Sequence, residues 1–384
     1  MGDQTMNSPR TTASSAYMEW AKLDSSAKFN LATSGVAGLP LSELGMTIAD
    51  LEINHPSNGY GYDPLLEAIA RRYRVPKESV VSAMGTSFAN YLALAAVTNP
   101  GDEVLIEQPA YDPLVSVAHF LGLEVRRFQR RPEQDFAVDP AEVKRNFTTR
   151  TRVIVVCNLH NPTGAFTPDS VLREIVAIAR ERNAYVLVDE VYREMLYEAV
   201  PQTAFHLDPE RVLITNSLTK AYGLSGLRCG WVLAPAKVAA QMWKLHDIHA
   251  GTYVHPAELM SVRAFEILAG ISAKMKRMLA ANRELLRDFL DGRDDLDFDL
   301  PDYGTVVFPR LKDGNVEALC ELLRREFETS IVPGRFFECP DRFRVGVGMA
   351  TESVTASLKQ LALGLDRYRA TAQRVAHAEA RLPK

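Results

Sequence analysis

The sequence predicts an α/β protein: a mostly parallel sheet in a large domain, joined to a smaller α+β domain. Two observations carry this. Between residues 102 and 217, short runs rich in Val, Ile and Leu alternate with segments of helical periodicity, as in a sheet covered by helices on both faces. From about residue 257 the alternation gives way to a long helical stretch, then short strands and helices in no strict order, the pattern of a separate α+β unit.

Taken in order, DEVLIEQ (102–108) reads as a strand and DPLVSVAHFLG (112–122) as a helix stopped at Gly122. LEVRRFQ then reads as a strand and PAEVKRNF as a helix. TRVIVVCNL (151–159) has the near-continuous Val/Ile content of a strand buried on both faces. PDSVLREIVAIARERN (168–183) places its apolar residues at helical spacing, and AYVLVDE (184–190) and RVLITNS (211–217) are two more buried strands. PAELMSVRAFEILAGISAKMKRMLAANRELLRDFLDG reads as one long helical stretch ending at Gly292. Strand-like TVVFPRL, helical VEALCELLRREFE, strand-like SIVPG and FRVGVG, and a last helix from about Thr351 complete the chain. The expected organisation is a mobile N-terminal tail (1–15), an N-terminal segment of the small domain (16–44), the large domain (45–275) and the C-terminal small domain (276–384).

Composition narrows the function. With 47% hydrophobic and 24% charged residues, the 384-residue chain matches an ordinary globular protein. Forty-four basic against 48 acidic residues give a formal charge of −4, so no general field draws it to nucleic acid or anionic membranes. Apolar runs fall far short of the roughly 20 residues of a membrane span. The polar start MGDQTMNSPRTTASS lacks the apolar core of a signal peptide, and Met6 stands where a myristoylation motif needs Ser or Thr. Cys157, Cys229, Cys320 and Cys339 are widely spaced and read as reduced thiols of a cytoplasmic protein. No metal site is expected.

Ligands of such sheets sit beyond the carboxyl ends of the strands. Three of those ends carry polar clusters: NLHNPTG (158–164), DEVY (189–192), and the start of SLTKAYGLSGLRCGW (217–231). In the last, Lys220 and Arg228 are isolated cations in a small, apolar segment, so an anion is expected nearby. Pyridoxal 5′-phosphate would use all three clusters, since it needs an amine for its aldehyde, a carboxylate for its ring nitrogen and a cradle for its phosphate. Lys220 would supply the amine, its basicity lowered by burial and a neighbouring cation. Asp189 would pair with the ring nitrogen, and Tyr192 and Asn161 would donate to the ring's phenolate oxygen. Arg228, Ser217 and the backbone N–H groups of Gly85, Thr86 and Ser87, where AMGTS opens a helix, would bind the phosphate. Tyr111, in QPAYDP, would lie against the ring face. Singly, each has a plainer reading: Asp189 a cap, Asn161 part of a turn, Gly85–Ser87 a helix start, Tyr111 a packing residue, Lys220 a solvated lysine, Arg228 half of an ion pair. Their joint occurrence in this order favours the cofactor.

AMGTSFANYLAL, NPGDEVLIEQPAY, NLHNPTGA, VLVDEVY and SLTKAYGLSGLRCGW together resemble the fold-type I pyridoxal-phosphate enzymes of the class I/II aminotransferase family, over roughly residues 30–370. The resemblance implies a seven-stranded type of sheet and a homodimer with active sites at its interface. It also implies transfer of an amino group from an L-amino acid to a 2-oxo acid by ping-pong transamination. Lys220 corresponds to the family's Schiff-base lysine, Asp189 to the pyridinium partner, Tyr192 and Asn161 to the phenolate donors, and Arg228 and Ser217 to phosphate ligands. Arg344, in RFRVGVG, falls where the family binds the substrate carboxylate, with Asn161 beside it. Two segments depart from the pattern. EINHPSNGYGYDPLLEAIA has no tyrosine in register for the family's cross-dimer phosphate contact; that position falls near His55 to Ser57, leaving Tyr60 as a candidate. SGVAG (34–38) lacks the usual Gly-x-Pro of the substrate loop, leaving Gly35 as the contact. A β-lyase or cyclising enzyme on the same scaffold, or a non-catalytic binding module, are the alternatives. Only about 30 residues precede the recognisable region, too few for a DNA-binding domain. The substrate side chain stays open.

Overall fold

A polar residue before an apolar stretch starts the first helix. Ser15 Oγ accepts from the Met18 N–H at 3.2 Å and caps α1 (Ala16–Leu23). The computed structural model describes residues 14–57, 59–198 and 201–379; of the expected tail, residues 1–13 lie outside them. β1 (Phe29–Asn30) follows, then α2 (Asp63–Tyr73).

The large domain is built from β2 (Val80–Met84), α3 (Gly85–Val97), β3 (Glu103–Gln108), α4 (Asp112–Phe120), β4 (Glu124–Gln129) and α5 (Pro140–Asn146). It continues with β5 (Thr151–Cys157), α6 (Asp169–Glu181), β6 (Tyr185–Asp189), β7 (Val212–Ser217) and β8 (Cys229–Leu233). Seven strands form one sheet in the order β2-β8-β7-β6-β5-β3-β4. The β4–β3, β3–β5, β5–β6 and β6–β7 pairs are parallel; β8 runs antiparallel to both of its neighbours. Residues 218–228 join β7 to β8 without a crossover α-helix, so β8 comes straight back beside β7. Neither β2 nor β8 stands out in the βα alternation that signals the other five. Alternate strand residues feed two cores: Val153, Val155, Leu187 and Leu213 on one face, Ile154, Val156, Val186, Val188 and Ile214 on the other.

α7 (Ala236–His249) leads to α8 (His255–Glu266) and α9 (Leu268–Asp291). The single helical stretch expected up to Gly292 is thus broken at Ile267, which has φ −104° and ψ 9°. Ala264 of α8 and Leu268, Ile271, Met275 and Leu279 of α9 join the same large-domain core, while further along α9 Leu286 and Leu290 enter the core of the second domain.

That second domain holds β9 (Leu296–Asp297), β10 (Val306–Val307), β11 (Arg310–Leu311), α10 (Val316–Phe327), β12 (Thr329–Ser330), β13 (Val332–Pro333), β14 (Phe343–Gly346) and α11 (Thr351–Glu379). TVVFPRL and SIVPG are each two short strands rather than one. Pro309, lacking a backbone donor, stands in the gap between β10 and β11. β10, β14 and β13 form an antiparallel sheet, and β1 pairs in parallel with β12, tying the N-terminal segment to the C-terminal third.

Candidate active site

Parallel strands put their carboxyl ends along one edge, and β5, β6 and β7 are neighbours there. Asp189 ends β6 and is 2% exposed. Its Oδ2 accepts from Asn90 Nδ2 at 2.9 Å and its Oδ1 from the Val191 N–H at 3.1 Å. Asn90 is itself fixed, its Oδ1 accepting from Thr215 Oγ1 at 2.6 Å. Burial pushes the Asp189 carboxyl up to about 6, against the pull of those two hydrogen bonds and of the Lys220 charge.

Lys220 lies three residues beyond β7. Its Nζ donates to Ser34 Oγ at 3.2 Å, and Ser34 Oγ shares a 2.8 Å hydrogen bond with the Tyr192 hydroxyl. Burial first, then the positive charges of Arg344 and Arg228, lower the amine to about 8, with Asp189 opposing. Gly35 lies close against the lysine arm: a Cβ there would stand 3.3 Å from Lys220 Cδ. Val36 N–H anchors the same segment by donating to the Lys220 carbonyl at 2.9 Å.

Arg344 comes from β14 and is fully buried. Its Nη1 donates to Asn161 Oδ1 at 2.8 Å, and its Nη2 to the Ala32 carbonyl at 2.7 Å and to Tyr17 OH at 3.0 Å. Nε has no partner. Among the described residues no carboxylate pairs with this guanidinium, and a buried cation without a counter-charge is costly. Such a donor set suits a carboxylate ligand.

The third part is an anion cradle. Gly85 opens α3 at φ +76°, and a Cβ on it would fall 2.2 Å from Arg228 Nη2, so only glycine lets the guanidinium approach this helix start. Arg228 donates to the Met84 and Ser225 carbonyls, both at 3.3 Å, and makes no ion pair among the described residues. Thr86 Oγ1 donates to Ser217 Oγ at 2.9 Å. Ser87 is exposed in the first turn of α3, and no side chain caps that turn, leaving N–H groups for an anion.

Tyr111 is raised by burial, with Tyr17, Tyr192 and Asp189 adding and Arg344 opposing, so its hydroxyl shares the field of the same site. It packs edge-on against Tyr17, ring centroids 5.6 Å apart. Tyr60 is not brought to the other residues within this chain: it is exposed, stacks on Trp243 at 5.7 Å and donates to Asp247 Oδ2 at 2.9 Å. Asn90, Thr215, Ser34 and Tyr17 escaped the reading of the sequence. For Asn90 a signal existed, since it is a lone amide in the apolar middle of AMGTSFANYLAL. An amine of lowered basicity, a buried carboxylate, an orphaned guanidinium and a glycine-floored anion cradle fit pyridoxal phosphate with an amino-acid carboxylate beside it.

The sequence model of the family described as aminotransferase class I and II matches residues 27–361. Among curated relatives, a capreomycidine synthase of Streptomyces vinaceus is 31% identical over 331 residues, covering 83% of this chain and 85% of that one. An aspartate aminotransferase of Pyrococcus horikoshii is 28% identical, covering 82% of each. The solved structure of a PLP-dependent aminotransferase from Streptococcus suis superposes with a TM-score of 0.85 at 26% identity, covering 91% of this chain and 97% of that one.

Proposed function

The chain belongs to the aminotransferase class I and II family, and from that premise we propose that it moves an amino group from an L-amino acid to a 2-oxo acid at the Lys220–Asp189–Arg344 site. Pyridoxal phosphate, when bound, supplies an aldehyde for an amine and an electron-withdrawing ring that stabilises negative charge at the substrate Cα. The chain's residues do the rest. Asp189, desolvated and held by Asn90 and Val191, would hold a proton on the ring nitrogen. Arg228, Ser217, Thr86, Ser87 and the Gly85 backbone would hold the phosphate. Arg344 binds the substrate carboxylate and so fixes which Cα–H bond faces Lys220. Asn161 Oδ1 is taken by Arg344, so its Nδ2 is left to donate to the ring oxygen. Ser34 Oγ, which accepts from Lys220 Nζ, shares a hydrogen bond with the Tyr192 hydroxyl; with Ser34 as donor there, the phenol would be free to donate to the ring oxygen as well.

Lys220 carries the reading. An amine lowered to about 8 is unprotonated in a useful fraction near neutral pH, so its Nζ can accept the Cα proton and return it. Single amino acids mixed with the cofactor-loaded enzyme test this. Conversion of the bound cofactor's absorption to the amine form, and its reversal by a 2-oxo acid, is expected; no conversion with any proteinogenic amino acid overturns it. The name of the Streptomyces vinaceus relative favours a second reading, in which the same proton abstraction leads to a synthase-type product without net amino transfer. Turnover that needs no 2-oxo acid selects that reading.

Among the described residues no helix is long and apolar enough to cross a membrane, and all four cysteines are free. The free cysteines fit the cytoplasmic location proposed here, and the family resemblance supports a homodimer with active sites at the interface.

A further inference from the structure

Three residues apart from the Lys220–Asp189–Arg344 site meet at the start of α8. His255 and Glu258 stand three apart in its first turn and so share a face. His55 reaches them from residues 51–57, ahead of α2. Glu258 Oε2 lies 3.2 Å from His255 Nδ1 and 3.5 Å from His55 Nε2, and all three donor atoms fall within 4.8 Å of one another. Two ligands on one tetrahedral ion, each bonded at roughly 2.0–2.2 Å, stand about 3.3–3.5 Å apart. The two edges of the triangle that meet at Glu258 already have about that length.

Burial and an unmet acceptor point to a cation rather than to a packed polar cluster. His255 and Glu258 are each 4% exposed, and Glu258 Oε1 is buried without a hydrogen-bond partner, a costly arrangement for a carboxylate. Glu258 also lines a cavity of about 130 Å³ together with Tyr253, Ser261 and Arg228. The closest contact of His55 Nδ1 is with the Ser57 carbonyl oxygen. An Nδ1–H donated to a backbone carbonyl turns the Nε2 lone pair toward Glu258, the second-shell arrangement of metal-bound imidazoles. Two acceptors 3.5 Å apart are then bridged either by a proton or by a metal ion. The Ser57 N–H also lies 3.1 Å from Nδ1; if that contact sets the tautomer, Nε2–H simply bonds Glu258 and the cluster is a polar triad.

We propose that His55, His255 and Glu258 form a binding site for a borderline divalent metal of the zinc type, clasping residues 51–57 onto α8. Two imidazoles and one carboxylate are a donor set suited to Zn²⁺, with a fourth position left for water or another ligand. The sequence conceals the site because His55 is 200 positions from His255.

The test uses the full cofactor-loaded chain, stripped with chelator and titrated with ZnCl₂ by calorimetry. One equivalent per chain is expected, with a dissociation constant of about 1 µM or tighter. Co²⁺ in its place is expected to give visible d–d bands at wavelengths beyond the cofactor's absorption. His255→Gln and Glu258→Gln should each weaken binding about 10- to 100-fold and abolish the Co²⁺ bands. His55→Ala, in a loop rather than a helix, should do the same should either α8 variant fail to fold. Absence of stoichiometric binding, or Zn²⁺ and Co²⁺ binding unchanged in the variants, overturns the proposal.

Discussion

Asp189 and Lys220 are both taken out of water by the fold, and their protons report it in opposite directions. Asp189 rises from 3.8 to about 6, so between those values the folded chain holds more protons than the unfolded one. Stability of the cofactor-free protein therefore falls as pH rises through that window. Lys220 drops from 10.5 to about 8, so between about 8 and 10.5 the unfolded chain holds more, and stability rises with pH. Glu107 and Glu190, each raised by burial to about 7, add to the first slope, and Cys229, Cys320 and Cys339, raised by burial from 9 to about 11–12, oppose the second, so urea melts across pH are read as differences between the cofactor-free protein and its variants. Asp189→Asn should lessen the acid-side fall and Lys220→Met should remove a rising contribution on the alkaline side; unchanged slopes in both variants would contradict this electrostatic picture. Asn161, Asp189, Tyr192, Ser217, Lys220 and Arg228 could be singled out jointly, though not one by one, because they follow strands whose apolar runs announce where a sheet edge must be. Asn90, Ser34 and Tyr17 could not. Asn90 meets Asp189 from 99 positions away, and Ser34 meets Lys220 from 186, so their meaning arises only when the chain closes.

At the scale of elements, the junction of β2 with α3 shows how tightly backbone geometry is set by the ligand it awaits. Gly85 is at positive φ, and its missing Cβ is the space Arg228 occupies. Gly101 shares a positive φ, +88°, but has nothing within 4 Å of a built Cβ. Gly85→Ala and Gly101→Ala should both carry a strain of about 1–3 kcal/mol. Only Gly85→Ala should also displace the guanidinium and weaken cofactor affinity, about tenfold or more for loss of a charge-assisted contact. Equilibrium titration with pyridoxal phosphate separates them, and equal affinity in the two variants would argue against the cradle. Elements with long periodic patterns, such as β5 and α6, were legible from the sequence. The two-residue strands of the second domain were harder to delimit, since a pair of residues shows no period, and no proline between residues 257 and 292 marks the break at Ile267.

For the molecule as a whole, the site is a seam. Lys220, Asp189 and Asn161 follow the large sheet, Arg344 comes from β14 of the second domain, and Tyr17 reaches Arg344 from α1. α9 spans both cores, and Asn282 on it donates to the Val347 and Met349 carbonyls, each at 2.8 Å, bracing the segment after β14. The alternation of strand and helix was enough to predict the α/β class, because burying both faces of a sheet leaves few other solutions. It could not show that one arginine from the far third of the chain would be buried beside Asn161 with no carboxylate to meet it. All of this turns on Lys220 being the amine that joins the cofactor's aldehyde. Reducing the loaded enzyme with borohydride makes that link permanent, and peptide mass spectrometry then locates it. A phosphopyridoxyl group on the peptide containing Lys220 is the expected result; the group on another lysine, or on none, would contradict it.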